Sequence, residues 1–404
     1  MSVPEADRTR RRAVAAMTFA TGVIIANNYY AQPLEAALAA EFDAPSSAVG
    51  AVLTIIQLSY ALGLATLVPL GDLLERRRLV VTTLGVTVAG LVVVAAAPTL
   101  PVLAAAAGFV GLTTVVAQVL VPFAAEIARD GEQGKVVSTV MSGLLIGILI
   151  SRAVAGLVAE VFGWRAVFVL GAVLTAVAAV ALWRSLPVVP QTTTMSYPSL
   201  LRSVLTLIRE EPVLRLRMAY GASVYASFGA LWTSIGFLLA APPFSFGDAA
   251  IGLFALFGVA GALAARFAGG LADRGWAHRA TGAFMAVAAA SFAVFALGAH
   301  SLVALAVSLV VFDFGVQGSH ISNQSVVFAL RPEARSRVNT AYMTMYFLGG
   351  ATGSGLSAVL YASHGWAAVC WIGAAFPAAG LLAWVVESVH RRRTRTVTAA
   401  PSTS

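Results

Sequence analysis

Apolar residues along this chain come in runs of about twenty, separated by short stretches of Pro, Gly and charge. A helix rises about 1.5 Å per residue, so about twenty apolar residues cross the ~30 Å hydrocarbon core of a bilayer. The pattern predicts twelve membrane helices, near 14–39, 48–70, 79–97, 102–126, 136–159, 166–186, 218–241, 250–271, 280–298, 302–330, 338–361 and 367–389. The breaks between them, such as APSS, PTLP, ARDGEQGK and RPEARSR, are turn chemistry. The longest polar stretch, 187–217, divides the spans six and six, and LRSVLTLIRE within it reads as an amphipathic helix on the membrane surface. The expected organisation is a six-helix bundle over 1–186, a cytoplasmic linker over 187–217, a second six-helix bundle over 218–390 and a cytoplasmic tail over 391–404.

Composition agrees with an all-α membrane protein. The 404 residues are 59% hydrophobic and 11% charged, against about 25% charged in soluble domains. The net charge of +8 does not point to nucleic acid, because the cations follow membrane topology. All but Arg152, Arg165 and Arg266 fall in segments that the span order puts on one side, which predicts two cytoplasmic termini in a multi-pass plasma-membrane protein. The single cysteine, Cys370, excludes an intramolecular disulfide and any CxxC site. No Walker loop, metal cluster or nucleophile elbow is present, so neither an enzyme, an ATP-driven pump nor a cofactor is expected.

The chain repeats at half its length. GWRAVFVLGA begins at Gly163 and GWAAVCWIGA at Gly365, and the same offset pairs Arg129 with Arg331 and Gly147 with Gly349. Two homologous bundles place a binding site near the midplane between them. The loop VPLGDLLERRRL resembles the G-x-x-x-D-R-x-G-R-R signature of the major facilitator superfamily, with Asp72, Arg76 and Arg77 matching and Glu75 in place of the inner Gly. Half a chain later, GGLADRGWAHR keeps Gly269, Asp273 and Arg274. The resemblance covers essentially the whole chain. It implies two pseudo-symmetric six-helix bundles, and it implies that Asp72, Arg76, Arg77, Asp273 and Arg274 gate the cytoplasmic side. The cations at 76–78 also serve the positive-inside bias alone on a plainer reading.

Polar residues at membrane depth are costly and mark cavities or partners. Asn28, Gln32 and Glu35 share one face of a regular helix, with Asn27 and Tyr30 on an adjoining strip. Arg152 lies level with them in span 5, where it either snorkels outward or needs a carboxylate, water or an anionic substrate. Asp313, Gln317, His320 and Gln324 run along one face of span 10. Asp313 is either a coupling carboxylate or the structural partner of a cation such as Arg266. The substrate cavity is expected to include Gln57, Gln118, Trp232, Asn323, Tyr342 and Tyr346, with Asp313, His320 and Glu35 as proton-coupling candidates. Drug–proton antiporters of the family often carry an Arg in span 4 where this chain has Ala107, so Arg152 and Asp313 are expected to carry the charge chemistry.

The resulting expectation is a monomeric secondary transporter that exports small amphipathic molecules in exchange for protons. A polar organic anion or sugar anchored by Arg152 is the alternative within transport. A non-transporting membrane sensor or scaffold is the alternative outside it.

Overall fold

The computed structural model describes residues 3–129, 132–189, 195–259, 267–271, 274–331 and 334–398. Among them regular structure is helical throughout, with no strand. The helices are α1 (Val3–Ala26), α2 (Glu35–Glu41), α3 (Ser46–Leu70), α4 (Arg76–Ala95), α5 (Leu100–Thr114), α6 (Ala117–Glu126), α7 (Gln133–Phe162) and α8 (Trp164–Ser185) in the first half. They continue with α9 (Tyr197–Glu210), α10 (Pro212–Trp232), α11 (Ile235–Ala240), α12 (Asp248–Phe254), α13 (Ala277–Leu297), α14 (Leu302–Leu330) and α15 (Arg335–Thr398).

Nine helical stretches among the described residues are long and apolar enough to cross a bilayer. The last, Arg335–Arg391, has 57 residues, about 86 Å of helix, and divides in two at Gly365, whose φ of 70° is left-handed backbone open to glycine. The predicted first span is not among the nine, because its helix begins in the charged segment before residue 14 and stops at Ala26. The predicted eighth span begins as α12, tightens to a 3-10 helix over Ala255–Val259, and then passes outside the described residues.

Local chemistry explains the ends that matter for the site. Proline has no N–H and its ring collides with the carbonyl four residues back, so Pro33 acts on residue 29. The chain accordingly leaves the α-helix before Pro33, at Ala26. The predicted fourth span is likewise two helices, α5 and α6, where the Thr113 and Thr114 hydroxyls bond back to carbonyls of the preceding turn. Glu75 caps α4, its carboxylate accepting from the Arg77 and Arg78 amides at 2.9 and 2.8 Å.

The helices pack on buried Leu, Val, Ala and Phe: two clusters lie within the first half, and a third fills the second half and reaches Ile25, Tyr29, Tyr60, Leu64 and Leu144 of the first. The halves meet mainly where α3 packs on α15 and where α7 packs on α12. The linker holds α9, as its amphipathic pattern predicts, with Leu200 and Leu207 buried and the Tyr197 hydroxyl donating to the Thr66 carbonyl at 2.9 Å.

Candidate functional site

Beyond Ala26 the backbone amides of Asn27, Asn28, Tyr29, Gln32 and Leu34 bond three residues back, as in Tyr29 to Ala26 and Gln32 to Tyr29. At three residues per turn, the side chains that share a face are i and i+3. Tyr29, Gln32 and Glu35 therefore line up, whereas a regular α-helix would align Asn28 with Gln32. Tyr29 joins the sequence-based face, and Asn28 stays beside it, lining one pocket with Tyr29 and Gln32.

That face meets Arg152 of α7. Gln32 Oε1 accepts from Arg152 Nε at 2.6 Å, and the guanidinium lies 4.6 Å from the Tyr29 ring and 4.1 Å from the Trp232 ring. Phe228 adds a third ring at 5.9 Å. Planar guanidinium between aromatic faces is favourable cation–π geometry. The side chain is buried rather than snorkelling, only 4% exposed. Nη1 donates to the Ile148 carbonyl at 3.3 Å, and Nη2 is buried with no hydrogen-bond partner.

Across a small cavity stands Asp313 of α14. The cavity, about 110 Å³, is lined by Arg152, Phe228, Gly258, Asp313 and Gln317 together with aliphatic residues of α7. Asp313 is 6% exposed and its Oδ1 has no hydrogen-bond partner. Arg152 exerts its field on Asp313, yet the two are not among the ion pairs closer than 4.0 Å. The predicted alternative partner, Arg266, lies outside the described residues. Because α14 is regular, its predicted face holds: below Gln317, His320 Nδ1 lies 3.2 Å from the Tyr342 hydroxyl, and Gln324 Nε2 donates to Asn339 at 3.3 Å.

The remaining predicted residues divide. Asn28 and Gln57 line a pocket with Tyr29, Tyr60, Tyr225 and Phe347, with Asn28 Oδ1 accepting from Thr114 at 2.9 Å. Tyr346 stacks on Tyr225 at 4.0 Å and lies tilted against His320 at 4.5 Å, and Tyr29 and Tyr225 join hydroxyls at 3.4 Å. Asn27 and Tyr30 turn away from this centre, into the first half against Gly171 and Thr175 of α8. They do not line the central cavity, because the tightened backbone rotates them off the Tyr29 face. Asn323 likewise faces the interior of the second half, where it accepts from Arg217 at 3.1 Å. Glu35 is completely buried and neither carboxylate oxygen has a hydrogen-bond partner. Its Oε2 abuts Gly236 of α11, where a side-chain carbon would stand 2.8 Å away.

The two ends of the molecule differ. At the end carrying the Asp72 loop, a cavity of about 420 Å³ opens between the halves, lined among others by Gln118, Pro122, Met141, Gln324, Arg335 and Asn339. At the opposite end the halves are sealed. The Thr54 hydroxyl pairs with Ser354 at 3.0 Å, and Ser354 with Thr233 at 2.7 Å. Gly156 packs against the Asp248 carbonyl, and Gly252 against that of Arg152, so closely that neither position has room for a side-chain carbon.

In the Asp72 loop, Arg76 pairs with Asp72 at 3.6 Å, pairs with Glu126 of α6, and donates from Nε to the Gly71 carbonyl at 2.9 Å. These contacts are all internal to the first half. Partial burial raises the Asp72 carboxyl above its ordinary range, while Arg76 and Arg337 pull it down. Arg77 enters the loop through its backbone cap, Arg274 is exposed, and Asp273 lies outside the described residues.

Two features escaped the sequence reading. Tyr225 and Phe228 form a stripe with Trp232 at i, i+3 and i+7, a spacing that could have flagged them. Arg217, fully buried, donates to Thr281 and Asn323 at 3.1 Å and lies 3.2 Å from His278 Nδ1. His278 is 3.6 Å from Glu387, which accepts from Tyr220 at 2.7 Å. Arg217 lies at the edge of the polar linker, so its sequence context reads as solvent. Among the described residues no cluster of three or more His, Cys, Asp or Glu could hold a metal.

The family model described as Major Facilitator Superfamily matches residues 17–328 and, in a second match, 221–403. The chain is 46% identical over 371 residues to "Uncharacterized transporter YgaY" of Escherichia coli O157:H7, covering 92% of this chain and 94% of that one. It is 36% identical over 374 residues to "Probable transporter SCO4007" of Streptomyces coelicolor, covering 92% and 86%. The crystal structure of the nucleoside transporter NupG superposes with a TM-score of 0.75 over 94% of this chain and 98% of that one, at 14% identity, a likeness of fold.

Proposed function

The chain belongs to the Major Facilitator Superfamily, an integral membrane protein of the transporter type, and on that premise we propose that it exports small amphipathic molecules in exchange for protons by alternating access. The observation that carries this reading is the Arg152–Asp313 centre, flanked by a sealed end and by an open 420 Å³ vestibule. A centre reached from one end at a time is what alternating access requires. The cation distribution supports a cytoplasmic location for the Asp72 end and both termini, in the plasma membrane. On that assignment the vestibule faces the cytoplasm, where an exporter takes up its solute.

Asp313 is the coupling carboxylate in this reading. It binds a proton when the solute is absent, and the solute displaces that proton. Glu35 and His320 are further proton-carrying candidates, Glu35 because a completely buried carboxylate without partners is costly in its charged form. A polar organic anion on the free Arg152 Nη2 is the second reading; there, anions would compete with solute and Arg152→Ala would abolish the competition. The test is solute flux in proteoliposomes with and without an imposed pH gradient. The gradient is expected to drive flux in the wild type, and Asp313→Asn to abolish the drive, read as the ratio of flux with the gradient to flux without it. A drive that survives Asp313→Asn refutes the assignment.

A further inference from the structure

We propose that the solute is a small zwitterion with an apolar body, its anionic end on Arg152 and its cationic end on Asp313. The inference rests on the transport reading above and narrows its solute.

Three observations point to it. Arg152 and Asp313 are each more than nine-tenths buried, each keeps one polar atom without a hydrogen-bond partner, and they line one cavity without pairing to each other. Charges in a low-dielectric site attract strongly unless something is meant to stand between them. Here each is held back by its own supports: Arg152 by Gln32, the Ile148 carbonyl and the rings of Tyr29 and Trp232, and Asp313 by the rigid helix α14. A cation on Asp313 alone leaves the always-charged Arg152 buried and unmatched, and an anion on Arg152 alone requires Asp313 to keep its proton. A zwitterion satisfies both.

Size and lining narrow the class. The cavity of about 110 Å³ is well below the ~300–1,000 Å³ of drug-sized sites, so it suits a solute of amino-acid dimensions. Leu145, Ile148 and Leu149 of α7 supply an aliphatic wall beside the charges, and Phe228 an aromatic one. Gly258 lets its backbone lie close against Asp313 Oδ2, where a side-chain carbon would stand 2.5 Å from that oxygen, and Oδ1 is the atom left without a partner. A primary ammonium, compact and with three donors, suits that oxygen, and a carboxylate suits the donor geometry of the guanidinium.

The test uses four probes with one apolar body: leucine, 4-methylpentanoate, isoamylamine and 4-methylpentanamide. Binding to the purified full chain is read by calorimetry, and flux of each probe is measured in proteoliposomes. Leucine is expected to bind about 10- to 100-fold more tightly than any of the other three, the range of one charge-assisted hydrogen bond lost. Asp313→Asn should bring 4-methylpentanoate level with leucine, and Arg152→Gln should do the same for isoamylamine. Arg152→Lys, which keeps the charge, should retain the preference for leucine and guards against a loss caused by misfolding. Equal binding of a singly charged or neutral probe by the wild type overturns the zwitterion, as does failure of leucine to bind while another solute is transported; in both cases the transport reading stands. Absence of gradient-driven flux for any solute removes the transport reading itself.

Discussion

The sealed end offers a direct perturbation of the conformational equilibrium. Gly156 of α7 lies against the Asp248 carbonyl and 3.1 Å from the Gly252 Cα, measured from where its side-chain carbon would stand. Gly156→Ala places a methyl group there, and the helices must separate by roughly 1 Å to restore ordinary contact, because close-packed interiors have no slack of that size. Overpacking of this kind costs about 1–3 kcal/mol. The cost falls only on the sealed state, since with α7 and α12 apart the methyl group meets no backbone. The ratio of sealed to open molecules should therefore drop about 5- to 150-fold. In a Cys370→Ala background, a single cysteine replacing Gln57 in the central pocket reports the change through labelling with an impermeant maleimide from the Asp248 side. Labelling should accelerate by a factor within that range, and Gly85→Ala, where a methyl group meets nothing within 4 Å, should leave it unchanged. Equal labelling rates for Gly156→Ala and wild type would refute the inference that this helix crossing is the closed gate.

Three further outcomes follow from the same geometry. Glu35→Leu should raise the thermal stability of the purified protein by about 1–3 kcal/mol, the cost of a buried polar group without a hydrogen-bond partner; a lower Tm would show that Glu35 has a partner in the dominant state. Arg217→Met should destabilise by about 1–3 kcal/mol by leaving the buried Asn323 and Thr281 without their donor, measured by denaturation in detergent, whereas a neutral effect would make the cluster dispensable. Asp72, raised by burial, favours this state most at low pH, so its contribution should fade as pH climbs from the ordinary carboxylate range through the raised value. A Tm-versus-pH profile should show that decline in wild type and lose it in Asp72→Asn.

Legibility from sequence followed backbone regularity. Along α14 the face of Asp313, Gln317, His320 and Gln324 was readable because the helix keeps 3.6 residues per turn for its whole length. At 27–34 the same arithmetic missed Tyr29, because the backbone ahead of Pro33 is tightened and brings Tyr29 as well as Asn28 beside Gln32. Pro33 was visible as a helix breaker, but the period of the backbone it leaves behind was not. Glu75, a departure from the family signature, serves as an N-cap in place of the glycine. The Arg217 cluster was hidden for another reason: its members lie on α10, α13, α14 and α15, and no spacing along the chain links them.

Where α3 meets α15 the halves share a hydroxyl pair, Thr54 with Ser354, while Thr233 with Ser354 and Ser234 with Ser357 tie α15 to the segment after α10 within the second half. An apolar seam would resist wetting, at about 25 cal/mol for every Å² exposed. Hydroxyls that lose one another recover the same bonds from water, so such a joint parts with little net change in hydrogen bonding. At that contact, opening exchanges a bond between hydroxyls for bonds to water, so the resistance to parting the halves falls to the close backbone crossing of α7 and α12.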